Sequence, residues 1–308
     1  MPMKMRLLFA LGASALLAAC ATGGTQFSPS AENGTQAVVP LWSAPNASAL
    51  LYVSDPSAGD VEIYSFPYGK HVNTIGNFYQ PGGMCVGKTG NVFIADQSNT
   101  NVRVYAHGGT KPIRIVSDPG YTPSSCAIDA ASGTLAVTSL VGAHGHGSLA
   151  IYQNAMGKPK IYDDVNIPHV AYASYDSAGN LFIDGTTSSN KFVAGELPKG
   201  STSIKALSLN QTIASPGGVQ WDGKHIAIGD VSNGVIYQFS IANGKGTKVG
   251  STPLPDSSFV KEFCIHEAVV VVPDFINGNV RFYKYPAGGS PNKTIPAFVG
   301  PIATAISE

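Results

Sequence analysis

The chain has 308 residues, only 12% of them charged, and its 19 basic side chains balance its 19 acidic ones. With a formal net charge of zero it has no long-range field to attract a polyanion, so we expect no DNA or RNA partner. The 35 glycines and 21 prolines suit many tight turns, and 13 Tyr with 13 Phe suit strands. The composition therefore favours a β-rich domain.

The amino terminus has the pattern of a secretory signal. Lys4 and Arg6 precede an apolar stretch that is too short to cross a bilayer as a helix. The segment Leu17-Ala-Ala-Cys20 resembles a bacterial lipobox, which implies a signal peptide over residues 1–19 and a lipidated Cys20 as the mature amino terminus. An ordinary secretory signal with a coincidental cysteine is the alternative.

Residues 20–47 are rich in Ser, Thr, Gly, Asn and Pro without apolar periodicity, which predicts a flexible tether. Ala21 stands where enterobacterial lipoproteins retained in the inner membrane have Asp. The resemblance therefore implies a place in the bacterial cell envelope, anchored in the outer membrane and facing the periplasm or the cell surface. We expect a monomer that touches the membrane through its lipid only.

Residues 48–308 carry a strand-rich pattern that repeats at a spacing of 41 to 48 residues. The repeats start at Pro81, Pro123, Pro168, Pro216, Val260 and Pro301. A period in this range is typical of β-propellers. Each repeat contains an apolar second strand followed by an alternating third strand, as in Val92-Phe-Ile-Ala95 and Val102-Arg-Val-Tyr105.

Four antiparallel strands per repeat predict an all-β fold, a six-bladed β-propeller. The first repeat starts late and supplies three strands, whereas residues 300–306 look like an isolated innermost strand. We therefore predict that the C-terminal strand closes the ring.

The repeat resembles the NHL-repeat six-bladed β-propellers. The best stretch runs from Pro81-Gly-Gly through Gly90-Asn91, Asp96, Asn101 and Arg103 to Tyr105. Thr138 stands where the third repeat should have Asp. The resemblance implies a ring with a central channel. Some NHL-type lyases hold zinc through histidines.

Strand direction predicts which loops share a face. Because strands alternate, the repeat starts and the connections between second and third strands lie together, on what we call the upper face. The turns that follow the innermost strands lie on the opposite, lower face. In propellers the upper face around the channel carries most ligand sites.

An aspartate recurs at the end of the second strand in five repeats. Each begins a polar loop in which its carboxylate can accept local backbone N–H bonds, so we predict structural turn caps rather than cation ligands. These residues are Asp55, Asp96, Asp184, Asp230 and Asp274.

The third repeat departs from the pattern with a Gly-rich loop, residues 139–148, that contains His144 and His146. His169 starts the next repeat on the same face. Histidines spaced in this way can bind one divalent metal, the only cofactor that the sequence suggests. Ordinary exposed loop histidines are the alternative.

Glu262 follows Lys261 at the start of the sixth repeat. A surface ion pair between the two is the preferred interpretation. The alternative is a channel-lining Glu, of the kind that gluconolactonase-type propellers use to hold a divalent cation.

Aromatic and cysteine side chains add further candidates. Tyr79, Tyr121 and Phe259 precede three repeat starts, where their rings either stack on a ligand or pack between blades. Cys85 and Cys126 lie on adjacent innermost strands and form either a disulfide or, with Cys264, three buried thiols.

No motif of nucleophilic, metalloprotease or nucleotide-binding enzymes is present in the sequence. The first function hypothesis is a binding or scaffold module for a peptide, glycan or protein. The alternative is a metal-assisted hydrolase or lyase, lactonase-like or peptide-amidating-lyase-like, that uses His144, His146, His169 and Glu262.

Overall fold

A computed structural model describes residues 49–118, 120–142, 145–257 and 259–308. Over these residues the chain forms 24 β-strands and two three-residue 3-10 helices, Gln97–Asn99 and Gln153–Ala155. The predicted all-β class is confirmed. No helix in this part of the chain is long and apolar enough to cross a membrane. The predicted signal peptide, Cys20 and tether lie outside the described residues.

The strands form consecutive antiparallel groups of four. Group 1 contains β24 (Ala303–Ser307), β1 (Leu50–Asp55), β2 (Asp60–Ser65) and β3 (His71–Ile75). Group 2 contains β4 (Pro81–Val86), β5 (Val92–Asp96), β6 (Asn101–Tyr105) and β7 (Pro112–Ser117). Group 3 contains β8 (Tyr121–Ile128), β9 (Leu135–Gly142), β10 (Ser148–Tyr152) and β11 (Lys160–Tyr162).

The second half of the chain continues the same order. Group 4 contains β12 (His169–Tyr175), β13 (Leu181–Thr186), β14 (Phe192–Leu197) and β15 (Lys205–Leu209). Group 5 contains β16 (Pro216–Trp221), β17 (Ile226–Asp230), β18 (Val235–Ala242) and β19 (Lys245–Pro253). Group 6 contains β20 (Cys264–His266), β21 (Val269–Asp274), β22 (Asn279–Lys284) and β23 (Lys293–Ile295).

Groups 4 and 5 are not separate sheets, which differs from the prediction. Their outermost strands β15 and β19 pair in parallel, with Ser208 opposite Lys245 and Leu209 opposite Gly246, so the two groups form one eight-stranded sheet. The reason is that β19 is nine residues long and its first residues reach the outer edge of β15. Gly246 permits this approach because a Cβ atom there would overlap the Leu209 side chain.

The C-terminal strand pairs with the first strand, as the sequence predicts. Strand β24 lies antiparallel to β1, with Tyr52 opposite Ala305. This pairing covers the inner edge of β1, which would otherwise expose unpaired backbone groups.

Hydrophobic side chains fill the spaces between consecutive groups. The described residues form six buried clusters, and each combines side chains of two neighbouring groups. One of the clusters joins group 6 to group 1 through Leu51, Val271 and Phe282. The core is therefore distributed around a propeller-like arrangement, with the innermost strands facing a central channel.

Candidate functional site

Glu262 lies where the innermost strands approach one another. It precedes β20 and is buried. Its Oε1 accepts the backbone N–H of Met84 at 3.0 Å, across the channel in group 2. Its Oε2 packs against Gly83, where a Cβ atom would overlap both this oxygen and the Ser125 side chain. The absence of a side chain at Gly83 thus makes room for the Glu262 carboxylate.

This placement contradicts the surface ion pair with Lys261. Neighbouring side chains of an extended segment point to opposite sides, so only one of the two enters the channel. The Lys261 ammonium group instead lies 5.1 Å and 5.5 Å from the ring centroids of Phe259 and Phe275. Burial lowers the pKa of Lys261. Glu262 therefore lines the channel, which is the position that the alternative interpretation gave it.

β-Bulges in the innermost strands explain why side chains reach this region. The register of β4, β8 and β12 shifts near Met84, Ser125 and Tyr172, which takes the amides of these residues out of regular pairing. Side chains accept the freed N–H groups instead. The three pairs are Met84 with Glu262 at 3.0 Å, Ser125 with Thr138 at 3.1 Å, and Tyr172 with Asp184 at 3.2 Å.

Burial shifts the pKa values of the acids in this region. It raises the pKa of Glu262 to about 8, against smaller opposing effects of the Ser125 hydroxyl and the Met84 amide. It raises the pKa of Asp184 well above its usual range, and the charge of Glu262 adds to this effect. Burial, followed by the charges of Glu262 and Asp184, also raises the pKa of the Tyr172 phenol. At neutral pH the channel therefore favours protonated carboxyl groups.

A cavity of about 240 Å³ lies in the channel below Glu262. The cavity is lined by Glu262, by Phe263 and by residues of the innermost strands. These strand residues lie at or beyond Met84 in group 2 and at or beyond Cys126 in group 3. The last cavity-lining residues of these strands, such as Val86, Ile128 and Tyr175, are half-buried. The cavity therefore opens towards the lower face, whereas ligand sites were expected on the upper face.

The cysteines line the same cavity. Cys85 and Cys126 form a disulfide between the innermost strands of groups 2 and 3, with a Cα–Cα distance of 5.6 Å. Cys264 is a buried free thiol. Burial raises the pKa of Cys264 to about 12, so it is a poor nucleophile at neutral pH.

The third-repeat loop contacts the start of group 4 on the upper face. The backbone N–H of Gly147 donates to the Pro168 carbonyl at 2.6 Å, and Nδ1 of His169 lies 2.9 Å from the Leu140 carbonyl oxygen. His144 lies outside the described residues. Among the described residues, no three His, Cys, Asp or Glu side chains are grouped so as to hold a metal ion.

His146 and Tyr121 share a second, upper-face pocket of about 260 Å³ between groups 3 and 4. Asp163, Asp164 and Val165 also line it. The other two aromatic candidates lie elsewhere. Tyr79 is 82% exposed. Phe259 packs beside Phe275, with their ring centroids 6.0 Å apart.

Three of the five aspartates accept the backbone hydrogen bonds that turn capping requires. The distances from the amide nitrogen to Oδ1 are 3.1 to 3.2 Å. The amide donors lie two or three residues further on: Ser57 and Ala58 for Asp55, Ser232 for Asp230, and Asn277 for Asp274. These side chains therefore stabilise their own loops.

Asp96 and Asp184 differ from the predicted turn caps. Asp96 forms a 2.5 Å ion pair with Arg103 and accepts the side-chain amide of Asn99. Asp184 bonds to the Tyr172 amide instead. Val92 and Leu181 occupy equivalent positions at the start of their strands. Counted from these residues, Asp184 comes one position earlier in its strand than Asp96 does. It therefore points to the other side of its sheet.

Exposed apolar side chains concentrate on the upper face. Of the 14 large apolar side chains that are exposed in the described part of the chain, eight lie in its loops or strand ends: Tyr79, Leu140, Val141, Val165, Phe259, Phe275, Ile276 and Val299. Only Tyr68 and Met156 lie in lower-face turns. Of these eight residues, Tyr79 and Phe259 are candidates that the sequence predicts. Most of the others could not be predicted from the sequence, because exposure of a loop residue depends on how neighbouring loops pack.

No protein-family model matches the sequence, and no curated protein matches it. A chain in a crystal structure of a nidogen/laminin complex has a similar fold, with a TM-score of 0.71 and 12% sequence identity. The match covers 84% of this protein and 98% of that chain. The fold is that of a β-propeller. At this level of identity the similarity concerns the fold alone.

Proposed function

We propose that the protein is a lipid-anchored, NHL-like, six-bladed β-propeller that binds another protein through its upper face. The concentration of exposed apolar side chains on that face is the observation that carries the proposal. Large exposed apolar patches on soluble domains mark interaction sites. The similar chain comes from a nidogen/laminin complex, which supports a protein as the ligand.

The strongest part of this face lies where groups 6 and 1 meet. We call Phe259, Phe275, Ile276 and Val299 the upper-face patch. The Phe259 and Phe275 rings are neighbours, and the Phe275 ring packs so close to Gly300 that a Cβ there would lie 2.8 Å from it. The patch is therefore contiguous from group 6 to the segment that leads into β24.

The backbone holds this patch in place. Asp55 accepts the N–H groups of Val299 and Gly300 at 2.7 Å and 3.0 Å. Phe259 has φ of +71°, a strained conformation for a bulky residue. Such strain is typical of functional sites. Aromatic side chains, Phe among them, are enriched at the cores of protein interfaces.

Six blades are part of the proposal because each group of four strands has its own innermost strand and shares a core cluster with the next group. On this view the eight-stranded sheet is two blades whose outer edges touch. Lipidation of Cys20 and a place in the bacterial envelope rest on the lipobox-like segment.

Site-specific photo-cross-linking tests the proposed function. A photoreactive phenylalanine at Ile276 or at Val299, which are 66% and 68% exposed, should cross-link one and the same protein in intact cells. The matched controls are Tyr68 and Met156, which are 59% and 56% exposed on the lower face. Cross-links from the control positions alone, or from no position, would contradict a protein-binding upper face.

A further inference from the structure

The channel cavity is a second candidate site, separate from the upper-face patch. It is bounded above by Glu262 and opens between the last residues of the innermost strands. At about 240 Å³ it is smaller than the pockets of drug-sized ligands, which start at ~300 Å³. Its occupant is therefore a molecule with a few carbon atoms.

The charge of the cavity is set by one carboxyl group. Glu262 is the sole Asp or Glu among the lining residues, and its Oε2 makes no hydrogen bond of normal geometry in the described part of the chain, although the Ser125 hydroxyl lies close enough to act on the carboxyl group. No Lys or Arg lines the cavity, and its one histidine, His266, lies at the outer end within 3.5 Å of Glu308. A buried acceptor without a donor is costly, and a ligand with N–H groups relieves that cost.

The wall between Glu262 and the opening combines polar and apolar surface, and the polar part is the larger. Ala127, Ala173, Val219 and Ile265 contribute to it, together with the disulfide. A short hydrocarbon chain can lie against these apolar side chains, whereas a carboxylate or phosphate would meet no positive group except the outer histidine.

We propose that this cavity binds a small organic ammonium ion that enters from the lower face, with its ammonium group on Glu262 and its alkyl chain along the channel wall. Because Oε2 packs against Gly83 and is closed to solvent, the carboxylate turns towards the cavity when the ligand binds. That movement changes the bond between Glu262 and the Met84 amide, so this amide reports on occupancy.

Binding is coupled to the release of a proton. The groups that act electrostatically with Glu262 are Asp184, Tyr172 and Cys264, all of which are acids and none of which supplies a positive charge. Burial raises the pKa of Glu262 to about 8, so the ligand meets a neutral carboxyl group at lower pH and displaces its proton into solvent. The apparent affinity equals the intrinsic affinity multiplied by the fraction of Glu262 that is ionised.

Titration calorimetry of the full chain with n-butylammonium tests this site. The affinity should rise ~10-fold from pH 6 to pH 7 and ~5-fold from pH 7 to pH 8, with proton release detected in buffers of different ionisation enthalpy. In NMR spectra the Met84 amide signal should shift on binding. Glu262→Gln should weaken binding at least ~10-fold at the upper end of this range and remove the pH dependence.

The matched control is Glu267→Gln, an exposed residue in the turn that follows β20, which should bind n-butylammonium like the parent. Neutral n-butanol tests the contribution of the ammonium charge without a substitution. It should bind the parent at least ~10-fold more weakly than the ammonium ion. The proposal is overturned if n-butanol binds equally well, if the ammonium affinity is independent of pH, or if no binding is seen at ~10 mM ligand. Cross-linking from the upper face is independent of each of these outcomes.

Discussion

At the scale of single residues, Gly83 and Glu262 form the most constrained contact of the channel. The glycine has no side chain, so the carboxylate of a distant group can reach the Met84 amide. Gly218 has a related role, because its N–H donates to the Lys261 carbonyl at 2.7 Å and a Cβ there would crowd the Glu262 backbone. The paired glycines of the Pro-Gly-Gly repeat starts thus permit the innermost strands to approach closely.

Replacement of Gly83 by Ala should lower the free energy of unfolding by ~1–3 kcal/mol, because the new methyl group overlaps Oε2 of Glu262 and the Ser125 side chain. Urea denaturation measures the difference. Gly87→Ala is the matched control, because a Cβ there meets neighbouring atoms only at ordinary contact distances of 3.4 Å or more. Equal stability of the two variants would argue against a close contact between Gly83 and the Glu262 carboxylate.

Stability should also depend on pH through Glu262. Its pKa is raised from 4.5 to about 8 in the folded protein, so the folded state holds a proton that the unfolded state has lost over this range. Stability therefore falls as pH rises from about 4.5 to about 8, by up to ~1.4 kcal/mol per pH unit. Asp184, whose pKa is also raised, acts in the same direction.

The measurement for this prediction is the free energy of unfolding at several pH values in the parent and in Glu262→Gln. The variant should show a shallower decline with pH, because glutamine does not ionise. Parallel curves for the two proteins would show that Glu262 is not the group responsible.

At the scale of strands, the contact between β24 and β1 connects the two ends of the described domain. It supplies ladder bonds over five residue pairs and buries Ala303 and Ala305 against group 2. The Thr304 N–H also donates to the Glu262 carbonyl at 3.1 Å, so β24 supports the channel as well as the ring.

Deletion of residues 300–308 should lower the free energy of unfolding by several kcal/mol, on the order of 3–5, through lost burial and unpaired backbone groups. Differential scanning calorimetry of the purified truncated protein provides the test. A truncated protein that melts at the temperature of the parent would exclude a structural role for β24.

Strand patterns also show how much the sequence can predict. Apolar runs such as Val92-Phe-Ile-Ala95 and Val269-Val-Val-Val272 form second strands as expected, because burial on both faces leaves few alternatives. The edge pairing of β15 with β19 was not predictable. It depends on the length of β19 and on where its first residues meet a strand more than 30 residues earlier.

The site was less predictable than the fold for a similar reason. Asp184 looks like its counterparts in the sequence, yet one missing residue in its strand turns it to the other side of the sheet. Glu262 is one of two consecutive charged residues, and only the surrounding strands decide which of them is buried. Local patterns determine strands, whereas contacts between distant groups determine which polar side chains enter the channel.

At the scale of the whole molecule, we propose that a lipid on Cys20 attaches to the membrane a domain with two distinct faces. Cys20→Ser should move the protein from the membrane fraction to the soluble fraction, because the acyl chains on Cys20 would provide the attachment. Fractionation of cells that express parent and variant measures this. A variant that still sediments with membranes would contradict the anchor.

The central claim is that the upper-face patch binds a protein. The most direct test measures the Kd of the cross-linked partner for the parent, for Ile276→Glu/Val299→Glu on the upper face, and for Tyr68→Glu/Met156→Glu on the lower face, all four positions being exposed. We expect the upper-face pair to weaken binding by ~100-fold, because charges replace apolar contact area, and the lower-face pair to change it by less than ~3-fold. Equal affinities for all three proteins, or a loss confined to the lower-face pair, would contradict the account.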